Sequence, residues 1–327
     1  MLKRAAVILL ALMATLACLA SCDTARNDNG ESESENESDN SVSELSVSFT
    51  DALGREVTVR EAPRRVAALI GSFADVWMLA GGEVVATADD AWDDFGLELD
   101  SDTVNLGATK SPSLEGLLSA RPDLVIASAS TAKNVEWCDI LEPAGINVAY
   151  FDVSSFEDYL EMLDICTQIT GRRDLYVKNG LEIKDKIDKI KTEHAVYMGD
   201  RRPKVLFLRA SAGYIRAKNS HSSVLGEMLA SLGCINIADS DGTLLENLSV
   251  EVILKEDPEY IFVVQVGDDA EAVRKSINDM MKENAVWQEL SAVREGRLFY
   301  LDKRLFNLKP NALWAQAYEE LSRILQN

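Results

Sequence analysis

The chain has 327 residues, of which 47% are hydrophobic, and a formal net charge of −21. That length gives room for two domains with ample core. The sign of the charge excludes nucleic acid and anionic lipid surfaces as partners, since both require basic surface.

In chain order, Lys3 and Arg4 precede an apolar run over 5–17 that is too short to span a bilayer, followed by Leu19-Ala20-Ser21-Cys22. That is the plan of a secretory signal, and a cysteine directly after Leu-Ala-Ser resembles the bacterial lipobox, in which the cysteine becomes an acylated N-terminus. Residues 1–22 therefore read as a lipoprotein signal with Cys22 as the lipidation site. Residues 23–45 follow, rich in carboxylates, Ser and Asn, with too little apolar surface to offset the entropy of ordering. They read as a disordered acidic linker that holds a globular body near a membrane without embedding it. Cys138, Cys166 and Cys234 lack metal-type spacing and are expected as buried free thiols, with a Cys138–Cys166 disulfide as the alternative.

The folded part opens at 46–60 with two β-prone runs around Asp51-Ala52-Leu53-Gly54, which is hairpin chemistry. A strand at 65–70, a helix at 72–80 stopped by Gly81-Gly82, and a strand at 83–88 are predicted next. The stretch 89–105 reads as an acidic loop. Ser113 is an expected N-cap with Glu115 in the first turn, Pro122 the helix stop, and 123–127 a strand. A helix over 135–144, a strand over 147–151 and a helix over 156–171 complete an N-terminal lobe of residues 46–171.

Residues 172–198 read as one long amphipathic helix. Tyr176, Ile183, Ile187, Ile190, His194 and Tyr197 recur at three- and four-residue spacing with Leu181 beside them, giving a single buried stripe. His194 on that stripe reads as a packed residue. After it come a strand at 204–208 and a helix at 223–232 stopped by Gly233. Then Ser249, Glu251, Leu254, Pro258 and Glu259 repeat the spacing of Ser113, Glu115, Leu118, Pro122 and Asp123 without a gap. The repeat indicates an internal duplication. The expected fold class is α/β, with two Rossmann-like lobes of mostly parallel sheets, 46–171 and 199–327, joined by a single long backbone helix with a ligand cleft between them.

Enzymatic motifs are scarce. There is no Gly-x-Ser-x-Gly elbow, phosphate-binding glycine loop or His-Glu-x-x-His, and the adjacent residues Ser220-His221-Ser222 cannot fold into a triad. With two histidines in the chain, no catalytic residue, intrinsic cofactor or protein-held metal is expected. Glu115 and Glu251 each suit a helix N-terminus. Their duplication also suits docking on paired basic pockets of a two-fold symmetric partner.

Thr50-Asp51-Ala52-Leu53-Gly54-Arg55-Glu56-Val57-Thr58-Val59, Pro63-Arg64-Arg65-Val66 and the block Ser-x-Glu…Arg-Pro-Asp-Leu-Val-Ile over 113–126 together resemble the substrate-binding proteins of ABC importers for ferric siderophores, haem and cobalamin. The resemblance covers nearly everything from residue 46 onward. It implies a rigid backbone helix, small hinge motion, and delivery of ligand to a permease dimer powered by its ATPase. It also implies that Glu115 and Glu251 engage permease arginines. In such a fold the cleft is lined by Ser72, Phe73, Trp92, Thr109, Lys110, Ser130, Thr131, Arg209, Tyr214, Arg216, His221, Gln265, Phe306 and Lys309. The basic members of that set, with Lys218, favour an anionic ligand such as a ferric siderophore. Haem, with Tyr214 and His221 as axial candidates, and cobalamin are the alternatives in the same role. A cofactor-binding lipoprotein enzyme and an adhesion or signalling lipoprotein are the readings from other classes. The expectation is a monomeric, extracytoplasmic, lipid-anchored receptor that captures a metal chelate.

Overall fold

The computed structural model describes residues 46–327 apart from residues 61, 222, 241 and 268. The signal segment, Cys22 and the acidic linker lie outside the described residues. Strands β1 (Ser46–Thr50) and β2 (Glu56–Arg60) form the expected antiparallel hairpin, with Gly54 at φ +75° in the turn.

The N-terminal lobe follows. It runs β3 (Val66–Ala68), α1 (Gly71–Leu79), β4 (Val84–Thr87), α2 (Asp90–Asp93), β5 (Val104–Asn105), α3 (Leu114–Ser119), β6 (Leu124–Ser128), β7 (Asn147–Phe151) and α4 (Phe156–Ile169). Its five strands pair in parallel in the order β5-β4-β3-β6-β7. The acidic stretch after β4 is more ordered than its composition suggests. It carries α2, whose Asp90 and Asp93 complement the helix dipole, and edge strand β5. The single helix expected over 135–144 is instead two short ones, Ala132–Glu136 and Cys138–Leu141, meeting at buried Trp137.

The C-terminal lobe comprises β8 (Lys204–Ala210), β9 (Ile215–Lys218), α5 (Val224–Ser231), β10 (Ile235–Asn236), α6 (Val250–Glu256), β11 (Tyr260–Gln265), α7 (Ala270–Glu283), β12 (Leu298–Leu301), α8 (Lys303–Phe306) and α9 (Trp314–Leu325). Four strands pair in parallel in the order β10-β8-β11-β12. Strand β9 folds back antiparallel onto β8. The two sheets are separate, so the fold is α/β with two lobes.

The repeat in the sequence is also a repeat in space. Ser113 Oγ accepts the Gly116 N–H at 3.0 Å, and Ser249 Oγ accepts the Val252 N–H at 3.5 Å. Pro122 does not itself end its helix, which stops at Ser119. The turn is made by Arg121 at φ 47°, and Asp257 makes the matching turn at φ 42°. Each precedes a proline, whose ring disfavours right-handed helix at the residue before it. The N–H of Asp123 then donates to Arg65 O and that of Glu259 to Lys204 O, both at 2.8 Å.

The connecting helix runs over 173–198 as Arg173–Tyr176, a π-helical segment Val177–Leu181, and Glu182–Met198. The π segment was not expected. It brings Asn179 to α1 and α4, where its amide donates to Leu79 O and its carbonyl accepts the Tyr159 hydroxyl, both at 2.8 Å. Ile183, Ile187 and His194 are buried as predicted, whereas Leu181 and Tyr197 are exposed. Met198, four residues after His194, takes the last place in the stripe, and the Tyr197 hydroxyl donates to Gln326 O instead. His194 packs against α9 with Nδ1 3.0 Å from Ser322 Oγ. One hydrophobic core runs through both lobes, taking in Trp77, Phe151, Ile187, Phe207, Phe262 and Trp314. Phe156 and Trp314 meet edge to face at 6.0 Å across the lobe boundary. Cys138, Cys166 and Cys234 are free thiols.

Candidate functional site

In a parallel α/β sheet the ligand crevice opens at the carboxyl ends of the strands, where neighbouring strands send their connections to opposite faces. That point lies between β3 and β6 in the N-terminal lobe and between β8 and β11 in the C-terminal lobe. It places Ser72 and Phe73 after β3, Ser130 and Thr131 after β6, Arg209 near the end of β8 and Gln265 at the end of β11. Arg209 stands opposite Val264, one residue before Gln265. A cavity of about 580 Å³ opens beside Gln265, lined by Asp93 and Asp94 of the N-terminal lobe and by Arg274, Tyr300, Lys303 and Arg304 of the C-terminal lobe.

The C-terminal side is basic because β9 doubles back. Arg216 pairs directly with Arg209 and Lys218 with Phe207, so strand alternation puts all three cations on one face. Like charges directly opposite each other destabilise a strand pair. Burial together with the Arg209 and Arg216 charges pushes the Lys218 pKa down. Arg209 Nε is buried without a hydrogen-bond partner among the described residues, and the Arg216 guanidinium lies 5.6 Å above the Tyr214 ring. A buried guanidinium N–H left unpaired is costly, and an anionic acceptor would supply the missing bond.

The N-terminal side is acidic. Asp94 pairs with Lys303 at 2.6 Å, and Asp75 Oδ2 accepts from Arg304 at 3.2 Å and from Asn311 Nδ2 at 2.8 Å. Asn311 also donates to Ser72 O at 2.8 Å, so residues 303–311 reach across the lobe boundary and grip the start of α1. Burial raises the Asp75 pKa, with Asn311 and Arg304 opposing the rise. Lys309 lies 5.9 Å above the Phe73 ring. Burial and Arg209 push its pKa down, while Asp152 and Asp90 hold it up.

Two backbone N–H groups at the cleft are already taken. Asp90 Oδ1 accepts from Gly71 at 2.8 Å, and Asp239 Oδ1 accepts from Ser220 at 2.7 Å. These are corresponding places in the two lobes. Neither of these two amides is left free to donate to a ligand.

A family model described as "Periplasmic binding protein" matches residues 66–305. The chain belongs to that family. It is built on the plan of ABC-importer substrate-binding proteins, as the motifs of its N-terminal lobe implied. It is 28% identical over 303 residues to the Fe(3+)-citrate-binding protein YfmC of Bacillus subtilis, covering 90% of each chain. It is 23% identical to the putative ABC transporter substrate-binding lipoprotein YhfQ of the same organism, covering 96% of this chain and 95% of the relative. Among solved structures it resembles Staphylococcus aureus SirA complexed with staphyloferrin B, with a TM-score of 0.64 at 20% identity, covering 85% of this chain and 97% of the other.

In this periplasmic binding protein the expected cleft residues divide into groups. Arg209, Tyr214, Arg216 and Lys309 come together around the basic face, and Gln265 lines the cavity. Phe73 and Phe306 pack in the core at 0% and 1% exposure, and Ser72 is buried with its carbonyl held by Asn311. Trp92, Thr109 and Thr131 are half-buried and Lys110 is exposed. Ser130 Oγ lies 3.0 Å from Ser128 Oγ. His221 is exposed, 3.9 Å from Glu227, while Tyr214 turns to Arg216. Sequence reasoning passed over Asp75, Asp90, Asp152 and Asn311. A signal for one of them was present, because Ala88-Asp89-Asp90 and Ala238-Asp239 both follow the second parallel strand of their lobe, β4 and β10.

Glu115 and Glu251 are both exposed in the first turns of α3 and α6. Leu118 and Leu254, one helical turn further on, are exposed beside them.

Proposed function

We propose that the chain is the receptor of an ABC importer for an anionic ferric chelate, anchored outside the cytoplasm through an acylated Cys22. The observation that carries this reading is the buried, unpartnered Arg209 Nε, set directly opposite Arg216 with Lys218 and Lys309 close by. Three cations on one strand face, with Lys309 felt nearby, in a chain of net charge −21, are arranged for a ligand that brings its own negative charge. The ferric-citrate-binding relative supports the same class of cargo. A chelate supplies the ligands of its iron, so the protein needs only to grip carboxylate or hydroxamate oxygens by charge-assisted hydrogen bonds. Glu115 and Glu251 dock the loaded protein on a permease dimer, whose ATPase drives transfer. The receptor works as a monomer and transforms nothing.

The test is a fluorescence or calorimetric titration of the purified protein with ferric citrate, a catecholate siderophore complex, haem and cobalamin. Ferric citrate or another polyanionic chelate is expected to bind, and Arg209→Ala to weaken it at least about tenfold, the loss of one charge-assisted hydrogen bond of roughly 1.5–3 kcal/mol. Tight binding of cobalamin or haem, unaffected by Arg209→Ala, would overturn the reading.

A further inference from the structure

A leucine exposed by itself on a helix needs no explanation. Leu118 and Leu254 are 41% and 36% exposed, and each stands three residues after Glu115 or Glu251, so leucine and glutamate share one helix face. Between the repeats 113–123 and 249–259 the chain keeps one Ser, one Glu, one Leu and one Pro identical, and every other position differs. The serines cap their helices and the prolines follow the left-handed turns. The leucines have no such part in the fold. The core position just before them differs, Leu117 against Ile253, both at 0% exposure, and so does the exposed position just after, Ser119 against Lys255. An apolar side chain is therefore retained in water in both copies, while the core residue beside it varies. Helices α3 and α6 each return through a short turn to the parallel strand that follows, β6 or β11. Their first turns accordingly stand at the carboxyl edge of each sheet, the edge where the crevice opens.

We propose that Leu118 and Leu254 are the apolar anchors of the docking surface, each seated in a permease pocket whose rim carries the cation that meets the neighbouring glutamate. This rests on the docking reading above and extends it from charge to shape. Ion pairs at a rim are screened by salt and add little net affinity, so Glu115 and Glu251 set orientation and register. The leucines lose their remaining water on contact and supply salt-independent affinity. Two like knobs on one chain call for two like seats, which a two-fold or pseudo-two-fold membrane dimer provides. A dimer held at both knobs spans the carboxyl edges of the two sheets, so it covers the mouth through which cargo leaves.

The experiment places photoreactive benzoylphenylalanine at position 118, 254, 115 or 251, one at a time, in the full-length protein in the membranes of the cell that makes it. No cargo has to be known. Illumination is expected to join positions 118 and 254 to a polytopic permease, either one polypeptide or two homologous subunits of one dimer. Permease adducts from 115 and 251 alone would overturn the anchoring role and leave the docking reading standing. No permease adduct from any of the four would overturn both, and adducts from 118 and 254 to unrelated proteins would overturn the paired seats. With the permease so identified and solubilised, Leu118→Gln combined with Leu254→Gln is expected to weaken binding about tenfold per leucine, equally at about 50 mM and about 500 mM salt. Glu115→Gln combined with Glu251→Gln is expected to weaken it at the lower salt only. Wild-type affinity in the leucine variant, or a leucine effect that vanishes at the higher salt, would overturn the proposal.

Discussion

Asn311 offers the sharpest test of how the lobes are held. It is fully buried, adopts φ 54°, and its amide donates at 2.8 Å to both the Asp75 carboxylate and the Ser72 carbonyl on the opposite lobe. Asn311→Gly relieves the left-handed backbone while deleting both bonds. The bond to a carboxylate is worth about 1.5–3 kcal/mol and the neutral one about 0.5–1.5 kcal/mol, so the loss should be about 2–4.5 kcal/mol. For a domain of this size that lowers Tm by roughly 4–18 °C. Asn311→Ala loses the same bonds and adds about 1–2 kcal/mol for a Cβ in the left-handed region, so it should rank below the glycine variant. Urea unfolding followed by tryptophan fluorescence measures both. A glycine variant within about 0.5 kcal/mol of wild type, or an alanine variant as stable as the glycine one, would refute the view that this segment bonds the lobes together.

His194 makes stability depend on pH. Burial depresses its native pKa below the ordinary 6.5, so the unfolded chain binds the proton more readily. Its stabilising contribution is complete above about pH 6.5 and is lost as pH falls from there toward the lower native value. Asp90 acts in the opposite direction, because its raised native pKa favours the folded state as pH falls through about 6. The His194 contribution is therefore read as the difference between wild type and His194→Gln in urea midpoints from pH 5 to 8, and parallel curves would dismiss it. For docking, Glu115→Lys combined with Glu251→Lys should abolish uptake in cells with ligand affinity near wild type. Lost affinity would assign both glutamates to the fold or the ligand.

What was legible in the sequence was whatever depends on near neighbours. Asp51 to Gly54 announced a hairpin, Ser113 and Ser249 announced helix caps, and the spacing from Ile183 to His194 announced a buried stripe. The π segment at 177–181 left no mark on that spacing, because Asn179 is held by Leu79 and Tyr159, partners 100 and 20 residues away. The basic wall was visible as a set of residue types. Its geometry was not, because nothing local said that β9 would turn back and set Arg216 against Arg209. The bonds between the lobes were hidden altogether: Asn311 and Asp75 are 236 positions apart.

The uninterrupted apolar interior, from Trp77 through Ile187 to Trp314, means that this receptor cannot be cut into two independently folding halves at its strut. Separating them would bare buried aromatic faces on both fragments. The same continuity forbids a wide jaw-like swing between empty and loaded forms. A transporter inspecting this molecule would have to recognise cargo by the small adjustments that the salt-linked edges of the cleft allow.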